Sequence, residues 1–211
     1  MKYIEKGKEP NTFTEWKALS NDDWQAEYES MGSEIKNIVK KALTEDQGFL
    51  CCYCQKRLVF KNSHIEHFKP QKDNNVDPLD YSNMLCSCQN QLKKGEPRHC
   101  GNLKEDWFDA ELLISPLDAD CEKRFTYFAD GNIKSAELND EAAHKTIKKL
   151  GLDIPKLNDL REKVIEPFID EDLDQQELKQ FVAGYLEKDS QGMFNEFFMA
   201  IKCLFGEYTL L

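Results

Sequence analysis

Cys51-Cys52-Tyr53-Cys54, followed by His64-Ile65-Glu66-His67-Phe68-Lys69-Pro70, is the stretch of sequence that decides the fold. The first piece contains Cys-x-x-Cys, a spacing that lets two thiolates hold one zinc ion from a tight knuckle; two further thiolates must complete the tetrahedron. Cys86, Cys88 and Cys100 are the candidates. Cys88 and Cys100 bracket a polar segment, Gln89 to His99, that can fold back and bring both sulfurs together. The favoured ligand set is therefore Cys51, Cys54, Cys88 and Cys100. Cys52 then falls on the other face of the knuckle, and Cys86 points into the core as a small hydrophobe. A closed thiolate site is structural, and its binding free energy, on the order of 10–16 kcal/mol in zinc-finger peptides, feeds into folding. Buried free cysteines are the competing reading, and a redox Cys-x-x-Cys lacks the βαβ context it needs.

Outward from this stretch the pattern is helical on both sides. Residues 13–30 and 33–47 read as helices, the second with Ile35, Ile38, Val39, Ala42 and Leu43 at helical spacing, Ser33 as N-cap and Gly48 as its end. Arg57–Phe60 and His64–Phe68 read as the two strands of a β-hairpin turning at Lys61-Asn62-Ser63. Pro70, Asp73, Asn74, Asn75, Asp77 and Pro78 mark a loop. Beyond residue 135, Asn139 is the expected cap of a helix that Gly151 closes, and Pro155 opens the next, with Leu157, Leu160, Val164 and Ile165 inward. Two more helices are expected near 173–188 and 190–206, the last with a stripe of Phe194, Phe197, Phe198 and Phe205 that reads as core.

Composition narrows the functional classes. The 211 residues are 40% hydrophobic and 32% charged. No run approaches the ~18 apolar residues of a membrane span. The start, Met1 to Lys8, has no apolar core of a signal peptide, so the cytoplasm is the expected location. Six of the eight cysteines lie between Cys51 and Cys100, clustering that favours metal over disulfides. The net charge is −11, unevenly spread: residues 48–107 carry 9 basic and 7 acidic side chains, residues 108–211 carry 12 and 22. Only the cysteine-rich middle suits a polyanion, and the acidic remainder suits a protein partner or a plain solvated surface.

Chemistry converges on the same middle. In a strand Glu66 and His67 point to opposite faces, so a carboxylate and an imidazole cannot both be core. Phosphodiester hydrolysis needs a base for water, charge neutralisation and stabilisation of the leaving oxygen. A histidine neutral near pH 7 supplies the first. A hard divalent ion on a carboxylate supplies the others.

With Tyr81-Ser82-Asn83 and His99-Cys100-Gly101 added, the chain resembles the HNH (His-Me finger) endonucleases, and more narrowly those encoded with retrons and in Septu-type anti-phage systems. The opening Tyr3 to Gly7 with Pro10, and Ile147 to Leu152, also resemble that subfamily. The resemblance implies an α+β, mainly helical fold: a helical N-terminal segment (1–47), a zinc-stapled ββα-metal core (48–107) and an acidic helical C-terminal region (108–211). It implies Glu66 as acidic ligand of a catalytic magnesium or manganese, His67 as general base and Asn83 as the residue that orients it. Asn102 is implied as a second ligand of that ion, with His99 as competitor. Lys104 is implied as a contact to phosphate or to transition-state charge, or else is an ordinary solvated lysine; His64 is either an additional ligand or a partner of one. The second cysteine pair is split by eleven residues where the common HNH form has two, and Asn102 follows Cys100 by two positions where that form places its ligand directly after. The implied role is that of an effector nuclease on DNA or RNA in bacterial anti-phage defence, beside an ABC/SMC-like ATPase and a retron reverse transcriptase. The alternative is a non-catalytic zinc-finger adaptor that scaffolds such a complex.

Overall fold

A computed structural model describes residues 1–169 and 173–209. The C-terminal region expected at 108–211 is described apart from 170–172 and 210–211, which lie outside those residues. The architecture is α+β: seven α-helices and two small antiparallel sheets among the described residues.

The helix expected over 13–30 is much shorter. Helix α1 spans Asn11–Lys17 and stops because the Asn21 side chain accepts from the backbone N–H groups of Asp23 and Trp24, a local turn that competes with the helical ladder. Helix α2, Ser33–Asp46, buries Val39 and Leu43; its N-cap position is Gly32, not Ser33, and no side chain caps it. Gly48 follows with φ +58°, and a Cβ there would lie 2.3 Å from the Phe194 ring, so both conformation and packing demand glycine.

The expected hairpin is corrected. Strand β1, Ser63–His67, pairs antiparallel with strand β2, Met84–Cys88, in the register Ser63↔Cys88 to His67↔Met84. Arg57 instead makes a single bridge to Leu50, and residues 60–62 form a turn of 3-10 helix. The cause is burial: every residue of β2 is buried, so Met84-Leu85-Cys86-Ser87-Cys88 shows none of the alternation that announces a strand. The long polar segment between β2 and Cys100 leads into helix α3, Gly101–Lys104, a single turn.

Strands β3, Phe125–Tyr127, and β4, Ile133–Ser135, form the second sheet. Helix α4, Glu141–Leu150, is capped by Asp140 and not Asn139; the Asp140 carboxylate accepts from the Ala143 N–H at 2.9 Å. Gly151 ends α4 as expected. Helix α5, Pro155–Ile165, begins on its proline and buries Leu157 and Ile165 fully, with Leu160 and Val164 half-buried. Helices α6, Gln175–Leu186, and α7, Phe198–Phe205, complete the chain. The aromatic stripe is core: Phe197, Phe198 and Phe205 are buried.

Two contacts set the cysteine knuckle in place. The Cys100 N–H donates to the Leu150 carbonyl at the end of α4 (2.7 Å). Gln55, just past Cys54, accepts from the Phe197 and Met199 N–H groups through its carbonyl and its side chain. No helix among the described residues is long and apolar enough to cross a membrane.

Candidate active site and cysteine cluster

The sulfurs of Cys51, Cys54, Cys88 and Cys100 lie within 4.8 Å of one another, all buried, an arrangement that can hold a metal ion. Two come from the knuckle, one from the end of β2 and one from the residue before α3. Cys100 takes φ +57°, an uncommon conformation for a side-chain-bearing residue, which turns the chain so that its sulfur faces the other three. Burial pushes these thiols up, yet hydrogen bonds from Cys100, Cys52, Cys54 and Cys88 hold Cys51 well below the ordinary range and Cys54 falls to about 7, while Cys88 and Cys100, which keep the shared protons, are pushed well above it. Four thiolate donors in a closed, buried set fit zinc. Cys52 and Cys86 stand outside the set; both are buried, burial pushes both thiols up, and Cys86 packs beside the Thr44 hydroxyl. His99 is fully buried against the same cluster, its Nδ1 3.1 Å from the Cys100 sulfur and 3.7 Å from that of Cys88.

On the other side of β1 lies a cleft of about 450 Å³ lined by Glu66, His67, Gln71, Gly101, Glu29 and Glu105 among others. The His67 Nε2 lies 2.9 Å from the Pro78 carbonyl oxygen, which can only accept, so Nε2 carries the proton. Its Nδ1 then accepts from the Gln71 amide at 2.8 Å. The Tyr28 ring meets the imidazole edge-on at 4.8 Å. Burial lowers the His67 pKa below its ordinary value, outweighing the upward pull of the Pro78 carbonyl and of Glu66, so the ring is neutral at pH 7.

Glu66 is 6% exposed yet ionised. Burial raises its pKa, but hydrogen bonds from His64 and Lys104 and the charge of Lys104 outweigh that and hold it below the ordinary carboxylate range. Its Oε1 lies 3.0 Å from the Lys104 ammonium and accepts from the Tyr53 hydroxyl at 3.1 Å; its Oε2 lies 3.5 Å from His64 Nε2. Gly101 opens this corner: a Cβ there would stand 2.2 Å from Glu66 Oε2 and 2.9 Å from His64 Nε2. The missing side chain lets the Glu66 carboxylate and the His64 imidazole close together on this corner, and a carboxylate oxygen with an imidazole nitrogen beside it is a donor pair suited to a divalent cation.

The remaining expected residues are placed as follows. Asn83 clamps the chain just past His67, accepting from the Lys69 N–H at 2.8 Å and donating to the Lys69 carbonyl at 2.9 Å, while its own carbonyl accepts from Phe68 N–H. Lys104 is 2% exposed, not solvated; besides Glu66 its ammonium reaches the carbonyls of His67 (3.0 Å) and Glu105 (3.3 Å). Asn102 is not brought to the cleft: its amide donates to the Gln89 carbonyl at 3.1 Å. Sequence reasoning missed Tyr28, Gln71, Pro78 and the gap at Gly101. Gln71 and Pro78 sit in a loop whose conformation no local pattern encodes.

No protein-family model matches the chain. Over 142 residues, 64% of this chain and 67% of the relative, it is 34% identical to the Vibrio cholerae (serotype O1 biovar El Tor) protein named "Retron Vc95 putative HNH endonuclease".

Proposed function

The chain belongs to the HNH endonucleases, and from that membership we propose that it hydrolyses phosphodiester bonds of nucleic acid, with β1, β2 and α3 as its ββα-metal core. The observation that carries this reading is the His67 imidazole, pinned by Pro78 with its other nitrogen turned to a cleft that also holds an ionised Glu66.

His67 Nδ1 takes the proton of a water molecule as that water attacks phosphorus, and the Gln71 amide yields its place to the water or orients it. Glu66, with His64 beside it, would hold a magnesium or manganese ion, whose charge would neutralise the phosphate and the leaving oxygen. Lys104 acts through Glu66, keeping it charged and aimed, and not by touching phosphate. Asn83 fixes the strand end that carries His67, so the base stays in register with the attacked phosphorus. Asn102 serves to hold Gln89 and the return to the cysteines. The four cysteines would hold a structural zinc ion, with the His99 ring beside the Cys100 sulfur.

In this reading the protein is the effector nuclease of a bacterial anti-phage defence system, encoded with a retron and working with an ABC/SMC-like ATPase. The retron named for the relative supports the first part. The acidic balance of residues 108–211 supports a surface that meets protein and not nucleic acid. As a hypothesis, the C-terminal helices dock the ATPase; charge reversals there that leave co-purification intact would sink it.

The test of the central claim is cleavage of plasmid DNA and of total tRNA by the purified chain with Mg²⁺ or Mn²⁺, beside His67→Ala. Activity lost only in the variant supports the nuclease and names its substrate. No cutting by either protein, with or without the ATPase, leaves a zinc-stabilised adaptor.

A further inference from the structure

The cleft around His67 is lined by four carboxylates, Glu29, Glu66, Glu105 and Asp106, against one lysine, Lys72. Such a lining attracts a cation and repels a bare phosphate chain. A second cleft, of about 270 Å³, shares Ile65 with it and has the opposite character. Its lining includes Lys36 and Lys40 from one face of α2, with Ser33, Asn37 and Asn90, and no carboxylate.

The two lysines are not equivalent. Lys40 is committed to the fold: its ammonium donates to the carbonyls of Phe60 (2.7 Å) and Ser63 (3.2 Å), fixing the entry to β1. Lys36 has no hydrogen bond or ion pair from its side chain among the described residues; its ammonium stands 5.0 Å from the centre of the Tyr28 ring. That same ring meets the His67 imidazole at 4.8 Å, so Tyr28 spaces the free ammonium from the general base. The separation is at most the sum of those two distances, within the reach of neighbouring phosphates on one strand.

We infer that Lys36, in a cleft lined also by Ser33, Asn37 and Asn90, binds a backbone phosphate of the polynucleotide strand neighbouring the bond cut at His67. The inference rests on the nuclease reading for its place in the reaction, but its chemistry is separately measurable. An acidic chain of net charge −11 needs a local cationic foothold to hold a strand against its own field. This one shares Ile65 with the carboxylate-lined cleft, and its His64 reaches Glu66 of that cleft at 3.5 Å. The strand would thus be gripped by a lysine on one side of β1 and presented to the cation side on the other.

The experiment is fluorescence anisotropy of the full-length chain in a His67→Ala background, without divalent cation, on labelled single-stranded DNA and RNA of one sequence. Lys36→Glu is compared with Lys41→Glu, an equal charge change on the same helix at an exposed position outside the cleft, where the lysine pairs loosely with Glu45 at 3.8 Å. Lys36→Glu should weaken binding about tenfold or more and reduce the slope of log affinity against log salt by about 0.7. Lys41→Glu should stay within about twofold of the parent. Equal effects of the two variants, or no binding by the parent to either polymer, overturn the inference. Stronger retention of DNA or of RNA identifies the sugar. A chain that binds through Lys36 yet cuts nothing keeps the phosphate site and loses the nuclease reading; one that cuts but ignores Lys36→Glu does the reverse.

Discussion

The His67 Nε2 lies 2.9 Å from the carbonyl oxygen of Pro78, and that one bond decides which nitrogen of the imidazole can act as a base. A carbonyl cannot donate, so the proton stays on Nε2 and the lone pair is on Nδ1.

The first prediction concerns pH. Burial lowers the His67 pKa from its ordinary value near 6.5. The base must be neutral to work, so activity is lost on acidification and is complete once pH exceeds this lowered pKa. A kcat profile should rise through an apparent pKa below about 6.5 and be flat from about pH 7 to 8. A rise that continues across that interval would place the essential base elsewhere. His67→Ala should reduce kcat by about 10²–10⁴-fold while the chain still unfolds cooperatively.

A second prediction concerns the Lys104–Glu66 pair, 3.0 Å apart with side chains 1% and 7% exposed. Taking one partner away leaves the other charge buried and uncompensated, a loss of about 3–5 kcal/mol. Lys104→Met should therefore unfold at a markedly lower denaturant concentration than the parent. Adding Glu66→Leu removes the stranded carboxylate, so the double variant should recover part of that loss. If the double variant is as unstable as the sum of the singles, the pair is not coupled.

The third follows from the sulfur geometry. Cys52 and Cys54 are two residues apart in one knuckle, but only Cys54 has its sulfur in the four-membered cluster. Cys54→Ser should purify with well under one zinc per chain by elemental analysis and lose cooperative unfolding, because metal affinity feeds into folding. Cys52→Ser should keep its zinc. Equal zinc loss in both variants would mean that the cluster is assembled differently.

These residues also show how far the sequence could be read. The four sulfurs are legible because tetrahedral zinc demands a second pair, and the polar segment from Gln89 to His99 can fold back to bring Cys88 and Cys100 together, which favours them over Cys86. The expectation that Glu66 and His67 cannot both be core fails: both are buried, because Lys104 pairs with the carboxylate and Pro78 and Gln71 satisfy the imidazole. The pairing of β1 is not legible, because its true neighbour is buried on both faces and carries no alternating pattern. Local pattern alone pairs it with the nearer Arg57–Phe60. Asn102 looked like a ligand by its place after Cys100, but the single turn of α3 presents Gly101 and Lys104 to Glu66 and turns Asn102 toward Gln89. Gln71 and Pro78 act on His67 only through the path of a loop. The shift of the α4 cap from Asn139 to Asp140 lies within the ordinary uncertainty of a helix boundary.

That cap supplies the last prediction. The Asp140 carboxylate caps α4 and forms a two-point pair with the Arg124 guanidinium, including Nη2 to Oδ1 at 2.5 Å. The Arg124 guanidinium, helped by the Ala143 N–H, holds its pKa below the ordinary carboxylate value against the upward effect of burial. A depressed folded pKa means stability that is present above the unfolded value of about 3.9 and is lost as pH falls through the lower folded one. Asn in place of Asp keeps the cap but not the charge. Asp140→Asn should thus be less stable than the parent between about pH 5 and 7, by less than about 1 kcal/mol because Arg124 is more than a third exposed. The gap should close as pH falls through the depressed pKa of Asp140. Asp140→Ala should lose about 1 kcal/mol more than Asp140→Asn at every pH, since the cap it removes does not depend on charge. Urea unfolding of the three proteins at several pH values separates the two contributions; a gap between parent and Asp140→Asn that does not narrow in acid would show that the Arg124 pair adds nothing to stability.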